Sequence, residues 1–228
     1  MANELLLLTG MKMSGLITDG AVMTNGPFLP QEMDEVRRAY DAAQAAASGA
    51  RIRHGSTTTR FSGFVANDPF IRIYLHSPLL RLAHDRIGEP FKLSYFVGRT
   101  LRAGTAAPPL HQDVQRGADG DPLVGFIFMV DDFTIENGAT RFVPGSQTLL
   151  HPPTEGAEHH ACGPAGSLMI FDGLIWHEHG ANRTGAPRRS VQGYFVRRDH
   201  NAALNWSNEL TSEQTNTLPA KARELLCL

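Results

Sequence analysis

Very little of this chain is suited to gripping a large partner or a membrane. Its 228 residues include only two cysteines, Cys162 and Cys227, and they are not spaced as CxxC. That excludes a disulfide framework and a thiolate zinc site, and it fits a reduced, cytoplasmic setting. The formal net charge is −2, and the basic residues are dispersed, with Arg188-Arg189 and Arg197-Arg198 as isolated pairs. No basic stripe is present for a nucleic acid to follow. Long hydrophobic runs are missing too. Leu5 to Leu8 is the longest purely aliphatic stretch, far short of a membrane span. It follows Glu4 with no positively charged segment ahead of it, so it reads as a short helix packed on the fold and not as a signal peptide. Charged residues are only 19% of the chain against 42% hydrophobic, a balance that excludes disorder. Neither an internal repeat nor a low-complexity tract breaks the chain. The expectation is one domain over residues 1–228, with a small-molecule partner and neither nucleic acid nor membrane.

What is present falls into three textures. Residues 1–90 read as a mostly helical flank, with a short strand near Met23. Pro30 stands where a helix would begin, and Gln31 to Ala47 place Met33, Val36, Tyr40 and Ala43 on one helical face. A second helical stretch runs from about Pro69 to Ile87, where Gly88 and Pro90 stop it. Residues 91–198 are rich in short apolar runs: Phe91 to Leu101, Leu123 to Val130, Arg141 to Val143, Ser167 to Phe171, Leu174 to His177 and Ser190 to Arg197. Turn signals such as Glu136-Asn137-Gly138 and Asp172-Gly173 separate them. This is the pattern of a mainly β sandwich or jelly roll with helices on one side. Residues 199–228 close with a helical segment, Leu218 to Leu226.

The chemistry concentrates in that middle texture. His111-Gln112-Asp113 places an imidazole and a carboxylate two residues apart, on one face if the backbone is extended. His177, after the apolar stretch Leu168 to Trp176, is placed to be a third ligand, with His179 two residues on as its rival. Two histidines and one carboxylate leave open positions on a metal, the arrangement that suits iron(II) oxygenases, although the same donors also bind zinc. A keto-acid co-substrate would need an arginine for its far carboxylate, because the planar guanidinium meets a carboxylate through two hydrogen bonds. Arg188 lies eleven residues after His177, on what reads as the next and paired strand. Arg189 beside it should face the other way.

Three segments together resemble the phytanoyl-CoA dioxygenase family of Fe(II)/2-oxoglutarate-dependent oxygenases. They are Leu110-His111-Gln112-Asp113; Glu136 to Thr140 running into Val143-Pro144-Gly145-Ser146; and Gly166-Ser167-Leu168 through Trp176-His177, Gly180 and Asn182 to Pro187-Arg188. The resemblance covers roughly residues 90 to 198. It implies a double-stranded β-helix of the cupin-like kind, with iron(II), 2-oxoglutarate as co-substrate and O2. It carries the metal roles onto His111, Asp113 and His177, the co-substrate salt bridge onto Arg188, and weaker co-substrate contacts onto Thr140 and Arg102. It favours His177 over His179, which would then sit near the mouth of the site or in solvent. The implied reaction is hydroxylation of an unactivated C–H bond, with succinate and CO2 released. Desaturation, epoxidation or cyclisation are alternative outcomes on the same scaffold, and Asp113 speaks against halogenation. Gln147 stands where the family usually has a histidine after Pro-Gly-Ser, a position that is not a ligand.

Other readings compete at single positions. A cupin-like metal enzyme that does not use 2-oxoglutarate is one, and a non-catalytic binding module is another. His159 and His160 read as part of a solvated loop. Asp131 and Asp132 read as turn residues at the end of a strand. Tyr95, Phe126, Phe128 and Trp176 could touch substrate, but core packing is the preferred reading for each.

Overall fold

The computed structural model of the protein describes residues 15–153 and 157–228, so the Leu5 to Leu8 run lies outside the described residues. The strands are β1 (Ala21–Asn25), β2 (Ile52–His54), β3 (Thr58–Phe61), β4 (Phe91–Leu101), β5 (Leu123–Met129), β6 (Thr140–Phe142), β7 (His159–Ala161), β8 (Ser167–Asp172), β9 (His177–His179) and β10 (Arg188–Arg197). The helices are α1 (Met33–Ala46), α2 (Ile71–Tyr74), α3 (Ser77–Ile87), α4 (Trp206–Glu209), α5 (Ser212–Thr217) and α6 (Ala220–Leu226). Seven strands form a major antiparallel sheet in the order β1-β8-β5-β10-β4-β3-β2, and three form a minor sheet in the order β7-β6-β9. The mainly β jelly-roll expectation holds.

Every residue of β5 is buried, which explains its unbroken apolar sequence: both faces of the major sheet are covered. On the outer face Phe96, Phe126, Phe128, Val191 and Phe195 join one core with Val36 and Tyr40 of α1, Leu79 and Ala83 of α3, and Leu225 of α6. On the inner face Ile127, Met129, Met169 and Phe171 pack with Phe133, Ala139 and Ile175 beneath the minor sheet. Alternation along each strand sends successive side chains to these two destinations. The register fixes which inner residues are neighbours: Ser190 lies opposite both Arg99 and Met129, and Tyr194 lies opposite Tyr95. Among the described residues no helix is long and apolar enough to cross a membrane.

Several elements differ from the sequence expectation. Strands β2 and β3 lie in the amino-terminal flank, within a polar stretch where Ile52 and Phe61 are their only apolar residues; β3 exists because it pairs with the overhanging end of β4. Leu174 to Trp176 form no strand. The Asp172 carboxylate accepts from the Leu174 N–H at 2.9 Å, and the turn runs on to His177, where β9 starts. His159 and His160 are exposed as expected but belong to β7, an edge strand, because they pair with β6. Finally, β9 pairs with β6 in the minor sheet, whereas β10 is central in the major sheet. His177 and Arg188 are therefore not on paired strands; they approach each other from the two facing sheets.

Candidate metal centre

His111 lies in an irregular segment tied to β9 by two backbone hydrogen bonds, His111 N–H to the His177 carbonyl at 3.0 Å and the reverse at 2.9 Å. The Asp113 N–H donates to the Gly173 carbonyl at 2.9 Å, so the turn before β9 also fixes the carboxylate. These links bring the three side chains together: candidate ligand atoms of His111, Asp113 and His177 all lie within 4.8 Å of one another. Asp113 Oδ1 is 3.3 Å from His111 Nε2, and Oδ2 is 3.7 Å from His177 Nε2. Metal bonds of about 2.1 Å would set adjacent ligand atoms about 3 Å apart, so the spacing suits a single ion.

The outer nitrogens are engaged. His177 Nδ1 is 3.0 Å from the Ile175 carbonyl, which can only accept, so that nitrogen carries the proton and Nε2 keeps its lone pair for a metal. His111 Nδ1 is 3.3 Å from Glu178 Oε2, and the other Glu178 oxygen meets the Arg99 guanidinium at 3.3 Å. Hydrogen bonds to Asp113 and then to Glu178 raise His111 to about 9. Burial opposes the charge on Glu178, but His111 and Arg99 outweigh it and hold that carboxyl well below the usual range. Phe171 packs on His177, ring centroids 4.6 Å apart. It can do so because it lies over Gly125 on the next strand, where a Cβ would fall 2.3 Å from the phenylalanine ring.

The three residues open on a cavity of about 320 Å³ that Arg188, Thr140 and His179 also line. Arg188 is 2% exposed and stacks over Phe133 at 3.8 Å, yet its Nε and Nη1 have no hydrogen-bond partner. Burial, and then the charge of Arg99, lowers it to about 9. Buried donors without acceptors are rare and costly, so this guanidinium is set for an anion. Thr140 is buried opposite His179 in the minor sheet. These residues suit a metal chelated by a dicarboxylate: a three-donor face, and a buried unpaired arginine across the same space.

Three expectations are corrected. Arg102 is exposed, outside the cavity lining, its N–H bonded to the Thr57 carbonyl at 2.9 Å. β4 ends at Leu101, so the inward-facing basic residue is Arg99, on the strand itself. His179 is 3% exposed and lines the cavity, away from solvent, with its Nε2 unpartnered. Burial pushes it down, so it stands neutral. Tyr95, read as core, instead lines the cavity stacked on Tyr194 at 5.0 Å. Phe126 both lines the cavity and is fully buried, and Phe128 belongs to the outer core. Gln147 ties the amino-terminal segment down, donating to the Ile17 and Thr18 carbonyls at 3.0 and 3.2 Å. Sequence reading missed Glu178 and Arg99. Glu178 had a faint signal, a carboxylate flanked by two histidines, while Arg99 is placed by cross-strand register.

The profile of the phytanoyl-CoA dioxygenase (PhyH) family matches residues 17–190. Among curated proteins, dioxygenase af480 of Aspergillus fumigatus is 30% identical over 172 residues, 71% of this chain and 56% of that protein. An uncharacterised protein of Mycobacterium tuberculosis is 32% identical over 51% of this chain and 44% of its own length. The chain thus spans about half the length of these relatives. Among solved structures, HygX from Streptomyces hygroscopicus with nickel, 2-oxoglutarate and hygromycin B superposes with a TM-score of 0.68 at 16% identity, over 84% of this chain and 88% of that one. The epimerase SnoN with Fe3+, α-ketoglutarate and nogalamycin RO gives 0.70 at 18% identity, over 90% and 91%. At such identities the superpositions speak for the fold, while the profile match across most of the sequence speaks for descent: the chain belongs to the phytanoyl-CoA dioxygenase family.

Proposed function

We propose that the protein is an Fe(II)/2-oxoglutarate-dependent dioxygenase that hydroxylates an unactivated C–H bond of a small molecule. One observation carries the reading: a buried, unpaired Arg188 and the His111-Asp113-His177 tripod share a single cavity. In this reading His111, Asp113 and His177 hold the iron, and Arg188 pairs with the far carboxylate of 2-oxoglutarate, with Thr140 beside it. When bound, the iron, the co-substrate and O2 supply the oxidising chemistry, which converts 2-oxoglutarate to succinate and CO2 and adds one oxygen atom to the substrate.

The chain's own side chains prepare that chemistry. Asp113 contributes the negative charge that offsets part of a dication's field. The Ile175 carbonyl and Glu178 orient the two imidazoles, fixing which nitrogen faces the metal. Phe171 and Ile127 wall the cavity with apolar surface and keep water from the reacting centre. His179 gives its Nδ1 proton to the Gly180 carbonyl at 2.8 Å, so its unpartnered Nε2 can accept a hydrogen bond from a ligand N–H or O–H.

The test is succinate formation by protein loaded with iron and 2-oxoglutarate without oxygen and then exposed to air. Succinate should form with both additions, fail with either omitted, and fail for Asp113→Ala. Turnover by Asp113→Ala equal to wild type would refute the tripod. Since SnoN is an epimerase, product mass separates outcomes: hydroxylation adds an oxygen atom, whereas epimerisation leaves the mass unchanged.

A further inference from the structure

Five residues of ordinarily fixed charge line the cavity: Arg60, Arg99 and Arg188 against Asp113 and Glu178. On the proposed function, on which this inference rests, a metal dication and a dianionic co-substrate add equal and opposite charge. Arg99 is answered by Glu178, Asp113 faces the metal position, and Arg188 takes the far carboxylate. One positive charge is left over, on Arg60.

The sheet register makes that surplus more pointed. Arg60 lies directly opposite Arg99 on one side and directly opposite Arg53 on the other. Direct cross-strand partners share a face, so β2, β3 and β4 carry an uninterrupted row of three arginines on the cavity side of the sheet. Like charges in such positions repel and weaken pairing, so the row has a stability cost. Among the described residues, neither Arg53 nor Arg60 has a carboxylate within 4.0 Å. Both are exposed; Arg60 lines the cavity and reaches the Tyr95 phenol, while Arg53 stands outside the lining at the sheet edge. The row thus leads from the edge of the sheet to the metal centre. Beside it the stacked rings of Tyr95 and Tyr194 offer apolar surface.

We propose that the primary substrate is a small organic anion whose acid group is bound by Arg60, with Arg53 drawing it in from the rim. The ladder places the anion at the mouth and leaves the rest of the substrate to reach inward past Tyr95 and Gln192 towards the metal. The cavity is about 320 Å³ and must hold the co-substrate as well, so the part of the substrate inside it is small.

The test uses the whole protein loaded with Mn(II) and 2-oxoglutarate without oxygen. Calorimetry first measures 2-oxoglutarate itself; if it does not bind, the proposed function fails, and with it the ground of this inference. Phenylacetate, phenyl phosphate and neutral phenylacetamide are then titrated into the loaded complex. The two anions should bind without displacing 2-oxoglutarate, and the amide should not. Arg60→Gln should weaken the anions by about ten- to a hundredfold, the worth of a charge-assisted hydrogen bond, and Arg60→Lys should restore part of the loss. Arg53→Gln should slow association and steepen nothing else, its effect shrinking with added salt. Tighter binding of one anion assigns the acid group as carboxylate or phosphate. Anions that bind Arg60→Gln as well as wild type, that compete with 2-oxoglutarate, or that bind no better than the amide would overturn the proposal.

Discussion

Arg188 and Arg189 are adjacent on one strand and could hardly be housed more differently. Arg189 faces outward and is fully answered: Asp131 meets it at 2.7 Å and Asp41 at 2.8 Å, and those carboxylates, Asp131 foremost, raise its pKa further. Arg188 faces inward, buried, with two nitrogens unpartnered and its pKa lowered by that burial. The same contrast extends over the two faces of the major sheet. Outside, Phe96, Phe126 and Phe195 close a finished core against helices. Inside, the residues of β4 and β10 that flank the cavity leave donors and charges open. A finished face explains stability, and an unfinished one marks where a ligand belongs.

Substitutions on the two faces should therefore separate function from stability. The largest effect falls on the tripod. His177→Ala should abolish binding of Mn(II) in a calorimetric titration, while His179→Ala keeps it, since of these two only His177 brings its Nε2 within reach of Asp113, at 3.7 Å. Next comes Arg188→Met. It should raise the 2-oxoglutarate KM by about a hundredfold, as truncating one partner of a buried charge pair does. The same change should raise the melting temperature of the metal-free protein by about 2 °C, because an uncompensated buried cation is removed. A lower melting temperature alongside the higher KM would mean that Arg188 is structural. Glu178→Ala should weaken Mn(II) binding by about tenfold or somewhat more, the usual result of losing the group that orients a ligand histidine. Arg189→Met inverts the pattern: about 1.5 kcal/mol of stability lost in denaturant unfolding, with the 2-oxoglutarate KM unchanged.

The smallest effect is a pH dependence. A histidine raised to about 9 in the folded state contributes stability that is complete below its unfolded value of about 6.5, and loses it as pH climbs through about 9. The metal-free protein should therefore melt at a lower temperature above that window than below it. Metal loading, which displaces the His111 proton, should flatten the curve. A metal-free curve already flat between those values would show that Asp113 and Glu178 do not hold a charged His111.

Chemistry carried by neighbours in sequence was legible in advance; chemistry carried by neighbours in space was not. His111 and Asp113 are two residues apart, and His177, Gly180, Asn182 and Arg188 keep a local spacing, so a reader of the chain can find them. Glu178, Arg99 and Arg60 act through contacts that depend on β3 pairing with β4 and on β9 facing the metal-side segment, and no local pattern announces either. Arg102 misled because the resemblance placed a basic residue before the His111 segment, whereas β4 ends at Leu101 and the inward-facing basic side chain is Arg99, on the strand itself. Strands β2 and β3 were hidden for the same reason. Their apolar content is too low to mark them, and the pairing with β4 makes them strands.

The most direct test of the central claim is calorimetric binding of 2-oxoglutarate to wild type and to Arg188→Met, each with and without Mn(II) and without oxygen. The account predicts one site per chain, tight only with the metal present, and weakened by about a hundredfold in Arg188→Met. Binding that ignores the metal, or that survives Arg188→Met undiminished, would contradict it.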